Sequence, residues 1–331
     1  MKFGAVPLAA AQGAILAHSL SLPDGRLRKG VMLNAAHLAR LAEAGLSEVV
    51  VARLGKEDMH EDAAALMLAR AGVQEGAHLH LGAPFTGRVN VIADRPGIAQ
   101  LEPQKVIAAN AVDPAITVAT VPPWHQMRAG GMLATVKIIP YGVPRAALSE
   151  AAVRLRGAIR LAVPVFATAS LILTDLKGGP GTKGQAAVAA RVTGLGMTLG
   201  DMQVCAHEEG ALSCAIRRAE GEVVLILTAS ATSDMHDTAP AALRLAGGEV
   251  TRFGIPVDPG NLLFLGTLGR KPVIGLPGSA RSPVMHGADW VLARVACGVE
   301  ITPRDFAEMG VGGLLKEIPT RPQPRRAPPA R

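Results

Sequence analysis

The stretch Val223-Val224-Leu225-Ile226-Leu227-Thr228-Ala229-Ser230-Ala231-Thr232-Ser233-Asp234-Met235-His236-Asp237 decides the fold. Its opening apolar run is too short for an ordinary helix and too continuous for a half-exposed strand, so it reads as a strand buried on both faces. The run empties into small and hydroxyl residues and two carboxylates, and a helix from Pro240 to Ala246 follows. The same unit recurs on either side. A strand from Leu161 to Leu173 precedes a glycine loop and a helix from Thr182 to Leu195, and a strand from Asp201 to Ala206 precedes a helix from Glu208 to Ala219. Downstream come a strand from Glu249 to Phe253, a hairpin over Leu262 to Ile274 and a helix from Pro283 to Ala296. Strands alternating with helices predict an α/β fold, a largely parallel sheet sandwiched by helices, over residues 161–305. Ligands of such sheets bind outside the carboxyl ends of the strands, so the loops there are the place to look for chemistry.

Residues 1–160 are less regular and read as an N-terminal α+β section. Leu33, Leu38, Leu41 and Leu46 have helical spacing, and Val49-Val50-Val51 reads as a buried strand. Asp58-x-x-Glu61 reads as a capping box that opens an alanine-rich helix, with Gly72 as its stop. Strands at Ile116 to Val121 and Met132 to Ile139 are expected around a helix from Glu102 to Asn110.

Composition narrows the function classes. The chain has 331 residues, 49% of them hydrophobic and only 18% charged, which is enough to bury a core and excludes disorder for its bulk. That length implies two domains, divided near Arg160, and an extension over 306–331. Four of the seven excess positive charges are Arg321, Arg325, Arg326 and Arg331 in a Pro-rich tail from Pro319 onward, so the body is close to neutral. With two Trp, one Tyr and six Phe it also has little for base stacking, and a nucleic-acid partner is not expected. No run reaches the length of a membrane span, and the N-terminus is a poor signal peptide. Cys205, Cys214 and Cys297 lie in apolar stretches without CxxC spacing, as in a protein of the reducing cytoplasm.

Four loops carry candidate chemistry. Lys177-Gly178-Gly179-Pro180-Gly181-Thr182-Lys183-Gly184 lies between a strand and a helix, a context for phosphate capture by backbone N–H groups with Lys177 and Lys183 nearby. It lacks the spacing of a Walker A loop, and a flexible linker with Thr182 as N-cap accounts for it equally well. In the 228–237 loop, Thr228, Ala229, Ser230 and Ser233 let a ligand approach, while Asp234 and Asp237 are candidate catalytic and Mg²⁺-binding carboxylates. Helix capping explains Asp237 alone. Asp258, Gly260 and Asn261 follow one strand, and Pro277, Gly278, Ser279, Arg281 and Ser282 follow another. There Ser282 is the expected N-cap, Pro283 the first helical residue, and Arg281 a phosphate clamp. Asp58-Met59-His60-Glu61-Asp62 reads as a helix start rather than a metal cluster, and Thr86-Gly87-Arg88-Val89-Asn90 is a weaker candidate binding loop. There is no HExxH or GxSxG.

The run Gly247-Gly248-Glu249-Val250-Thr251-Arg252-Phe253-Gly254-Ile255-Pro256-Val257-Asp258-Pro259-Gly260-Asn261, followed by Gly269-Arg270-Lys271-Pro272-Val273-Ile274-Gly275-Leu276-Pro277-Gly278-Ser279, resembles the molybdenum-cofactor biosynthesis domain family. Ala83 to Arg88, Met132 to Pro140 and Arg281-Ser282-Pro283 are similar to the subgroup in which the module precedes a cofactor nucleotidyltransferase-like domain. The resemblance implies a molybdopterin-binding protein of the cytoplasm, a homo-oligomer, acting in cofactor biosynthesis, maturation or handling. A Mg²⁺-assisted transferase activity is one implication. A non-catalytic scaffold that docks a nucleotidyltransferase or a molybdoenzyme is the alternative, and a nucleotide-processing hydrolase a weaker one. Two departures bear on catalysis. The family's GGxSxGxxD loop corresponds to Ala229 to Asp237, which keeps the closing acid and lacks the leading glycines, and the STGDEL turn is absent. Binding fits these departures better than molybdate insertion does.

Overall fold

The computed structural model describes residues 1–315, so the Arg/Pro tail lies outside the described residues. The chain divides into two compact units, one of residues 1–94 and 99–161, the other of residues 95–98 and 162 onward. Among the described residues no helix is long and apolar enough to cross a membrane.

The first unit is a set of small antiparallel sheets with helices. The strand Lys2–Pro7 pairs with Glu48–Arg53, which contains the expected Val49 to Val51 run. The helix Ala35–Glu43 buries Leu41 in a core with Leu16, Leu33 and Val51. The strand Met132–Ile138 pairs on one edge with Ile116–Thr120 and on the other with Arg88–Ala93. One expectation is corrected here. Asp58 does not cap the helix Glu61–Gly72; Asp58–His60 is a short strand and His60 is the N-cap, its Nδ1 accepting from the Asp62 N–H at 3.3 Å. Asp58 instead accepts from the Gly55 N–H at 2.7 Å, closing a turn.

The second unit is a mixed α/β layer structure. Its elements are β1 (Thr168–Asp175), α1 (Gln185–Gly194), β2 (Thr198–Ala206), α2 (Glu209–Arg218), β3 (Val223–Leu227), α3 (Thr238–Leu245), β4 (Glu249–Phe253), β5 (Phe264–Leu268), β6 (Lys271–Leu276), α4 (Gly287–Ala296) and α5 (Pro303–Glu308). The six strands lie in the order β2-β1-β3-β6-β5-β4. The first four are parallel, and β5 and β4 extend the sheet as antiparallel neighbours. Every residue of β3 is buried, which is the state its unbroken apolar run requires. Ile172, Val224 and Ile226 face α2 and α3 in one core layer, and strand alternation turns Leu171, Leu173 and Leu225 to the other face.

Three expected boundaries move. Leu161 to Leu173 is not one strand: Ile159–Ala162 ends before Pro164, whose missing N–H suits no central ladder, and β1 starts at Thr168. Thr182 does not cap α1; Gly184 does, in a left-handed conformation with φ of 101°. The expected division at residue 305 falls inside α5, so it is not a boundary; that helix buries Phe306, and Arg252 lies 5.0 Å over the Phe306 ring. Cys297 is buried, Cys205 is half-buried, but Cys214 is exposed rather than enclosed by apolar neighbours.

The β5–β6 register sets Phe264 opposite Gly275, and a Cβ at Gly275 would fall 1.9 Å from the Phe264 ring. Phe264 is fully buried in the core layer with Leu243 and Val273. Gly275→Ala is therefore expected to cost about 1–3 kcal/mol of stability by overpacking, read as a lower urea midpoint. The same change in a Phe264→Leu background should cost less, and equal costs in the two backgrounds would show that the ring is not what the glycine accommodates.

Candidate functional site

The chain passes from β1 outward to β2 and then back across to β3, so the strand order reverses direction between β1 and β3. Such a switch point opens a crevice at the carboxyl ends of the strands. The loops at this edge are residues 176–184 after β1, 228–237 after β3 and 277–286 after β6. Because β4 runs in the same direction as β6, the loop at 254–263 emerges on this edge as well.

A buried threonine at the end of β1 holds three strand ends together. Thr174 Oγ1 accepts from the Ala229 N–H at 2.8 Å and lies 2.9 Å from His207 Nδ1. Thr174 was not singled out from the sequence, although a hydroxyl in a strand otherwise reading Leu171-Ile172-Leu173 is a signal that something polar must meet it. Thr228 is also buried, and its hydroxyl donates to the Ser230 carbonyl at 2.6 Å.

Arg281 joins the neighbouring loops. Its Nη1 donates to the Lys183 carbonyl and its Nη2 to the Thr228 carbonyl, each at 2.6 Å. A Cβ at Gly184 would lie 2.8 Å from the Arg281 Cα, so this glycine lets the loop after β1 close onto the turn after β6. Burial pulls the Arg281 guanidinium somewhat below its ordinary pKa. The structure thus brings Lys183, Thr228 and Arg281 together, with part of the Arg281 fork already spent on carbonyls. Lys177, Ser230 and Ser233 are exposed along the same edge.

The two carboxylates of the 228–237 loop both have backbone work. Asp237 is the N-cap of α3; one oxygen accepts from the Thr238 N–H at 2.7 Å and the other from the Ser233 N–H at 2.9 Å. Asp234 accepts from the His236 N–H at 2.8 Å. Among the described residues no group of three or more His, Cys, Asp or Glu is placed to hold a metal ion.

The turn after β6 departs from expectation. Gly278–Arg281 is a short 3-10 turn, Ser282 does not cap α4 and Pro283 does not begin it. His286 is the N-cap, its Nδ1 accepting from the Ala288 N–H at 3.1 Å, and the helix starts at Gly287. The cause is Arg191, a residue sequence reading passed over. Its guanidinium pairs with Asp289 at 2.6 Å and donates to the carbonyls of Ala280, Ser282 and Val284, which holds 282–285 out of the helix. Within this segment the Ser279 hydroxyl is enclosed and has no hydrogen-bond partner among the described residues. The Asp258 loop stands apart. Gly260 packs where a Cβ would lie 2.5 Å from the Gly287 nitrogen, and the Pro259 carbonyl accepts from the Gly287 N–H at 2.8 Å. It meets the start of α4 rather than the 228–237 loop, and Asn261 is exposed.

A family model described as a domain of unknown function (DUF8806) matches residues 5–53. No curated protein matches the sequence. Among solved structures, the crystal structure of the molybdopterin biosynthesis MoeA protein from Pyrococcus horikosii is 16% identical. The match covers 94% of this chain and 77% of that one, at a TM-score of 0.29, below the level of a shared overall fold.

His286 gives the edge a pH dependence. Burial, with Asp289 acting in the opposite sense and Arg191 adding to it, pulls its imidazole from 6.5 down to about 4. The unfolded chain therefore binds a proton that the folded one refuses between these values, and stability falls as pH drops from about 6.5 toward 4. Urea midpoints measured across that range should fall more steeply for the wild type than for His286→Asn, which keeps a capping side chain. Equal slopes would show that the imidazole is not the group responsible.

Proposed function

We propose that the protein binds a phosphate-bearing pterin of the molybdopterin type at the carboxyl edge of the parallel sheet, in the handling of the molybdenum cofactor. The observation that carries this reading is the enclosed, unpartnered hydroxyl of Ser279. A buried hydroxyl without a partner costs free energy that a ligand oxygen or nitrogen would return. Ser279 ends the stretch whose sequence resembles the cofactor domain, and its turn lies beside the switch point.

The other donors suit such a ligand. Lys177, Lys183 and the uncommitted N–H groups of Arg281 would hold a phosphate, with the backbone of Pro277, Gly278 and Ser282 beneath it. Thr228, Ala229, Ser230 and Ser233 would border the pterin. Asp258, Gly260 and Asn261 lie in the loop after β4, the strand two places beyond β6 and about 10 Å along the edge at the usual strand spacing, where a longer ligand would reach them. Mg²⁺ does not fit equally well. Asp237 gives both oxygens to backbone N–H groups and Asp234 gives one, so no catalytic step is routed through a metal. The same engagement favours binding over transfer chemistry, and it also supports the scaffold reading, in which a nucleotidyltransferase or molybdoenzyme docks without pterin.

Isothermal titration with molybdopterin is expected to show saturable binding, weakened about tenfold by Ser279→Ala through the loss of one hydrogen bond. A wild type that binds no molybdopterin, while retaining a protein partner from extract, would replace this reading with the scaffold.

A further inference from the structure

The sheet of the second unit ends on β2, and among the described residues no further strand pairs with its outer edge. Such an edge carries a row of N–H and C=O groups open to another chain, and proteins usually blunt it with lysine, proline, a bulge or a covering segment. β2 runs from Thr198 to Ala206 with a single charged side chain, Asp201. Its bulge falls where the pairing with β1 shifts, between Leu199 and Met202, so Met202 to Ala206 is regular and has neither charge nor proline. Asp201 itself is occupied within the protomer: one oxygen accepts from the Ser170 hydroxyl and the other from the Gln203 amide at 3.0 Å.

The face beside this edge is equally bare of charge. Strand alternation turns Cys205 toward the core layer under α2 and α3, so Met202 and Val204 lie on the other face, where they are 38% and 51% exposed. α1 connects β1 to β2 and α2 leads back from β2 to β3, so right-handed crossovers place α1 on the Met202 face. From Gly184 to Gly200 the only charged residue is Arg191, and its guanidinium is spent on Asp289 and on the carbonyls of Ala280, Ser282 and Val284. The exposed residues of α1 are Ala186, Ala190, Thr193 and Gly194, all small and uncharged.

We infer that β2 pairs antiparallel with β2 of a second copy of this chain, so that the two sheets continue into one. A two-fold axis at Val204 sets Val204 opposite itself, Met202 opposite Ala206 and Gln203 opposite Cys205, with no charged side chain in the paired run. The flanking pair is Asp201 with His207, which are not like charges. Only a register centred on Asp201 brings the two carboxylates together, and the bulge falls there. A second copy is the occupant because the surface is complementary to itself: apolar groups meet apolar groups, amides meet carbonyls, and nothing on it repels its own image. The two-fold reverses the partner's strands, so the carboxyl edges of the two sheets point in opposite directions. The inference does not rest on the proposed pterin site.

The test is sedimentation velocity of the full chain over a range of concentrations. The wild type should approach twice the chain mass as its concentration rises. Val204→Lys and Val204→Glu each set like charges opposite one another at the axis, and each should weaken association at least tenfold. Position 204 is exposed on the protomer's edge, so far-UV circular dichroism should show both variants folded. An equimolar mixture of the two variants should recover the dimer, because Lys then faces Glu, a rescue that a merely misfolded variant could not give. The inference is overturned if the wild type stays monomeric at every concentration, if both charge variants associate as the wild type does, which would place the contact elsewhere, or if the mixture associates no better than either variant alone.

Discussion

Arg191 turns one guanidinium into the anchor of an irregular loop. It sits on α1, pairs with Asp289 on α4, and donates to the carbonyls of Ala280, Ser282 and Val284 as well as to Ala187 on its own helix. Carbonyls in a segment that is neither helix nor strand have no ladder partner, and leaving them buried and unpaired is costly. The planar fork of arginine supplies several donors in fixed directions, which a lysine ammonium cannot reproduce. The consequence is geometric. Residues 282–285 stay out of the helix, α4 begins at Gly287 with His286 as its N-cap, and the turn that carries Ser279 and Arg281 is held at the end of β6.

Arg281 repeats the device one strand over. Its two bonds to the Lys183 and Thr228 carbonyls join the loop after β1 to the loop after β3, and Thr174 completes the connection from below. The edge is therefore a set of backbone segments fastened by side-chain donors, and its shape does not depend on the two carboxylates at 234 and 237. Those close their own loop. What the fastening leaves over is a hydroxyl at Ser279, part of one guanidinium and two exposed lysines, all of which can donate.

The layer architecture was legible because burial on both faces leaves an unbroken apolar run, as in Val223 to Leu227, and the turns between such runs carry glycine and proline. The direction of the sheet followed from the alternation with helices. Helix starts were much less legible. Thr182 and Ser282 have the residue types that cap helices, but each start is decided by a contact from elsewhere in the chain. Gly184 caps α1 where the loop must close onto Arg281, and His286 caps α4 where Arg191 has withdrawn the carbonyls before it. Local chemistry names the residues able to cap a helix, and tertiary hydrogen bonds choose among them. The candidate site residues at 183, 228 and 281 meet for the same reason that they could be guessed, since all follow parallel strands. Arg191 and Thr174 could not be found that way, because a helix-face arginine and a strand threonine look ordinary until their partners are known.

Ser279 shows why an unsatisfied group carries more information than a charged one. The exposed lysines at 177 and 183 would be compatible with any anion or with none, because water already serves them. A side chain withdrawn from water has lost that alternative. At Ser279 the missing partner can be an acceptor or a donor, since a hydroxyl serves as either, and the basic groups around it favour the anionic end of a ligand.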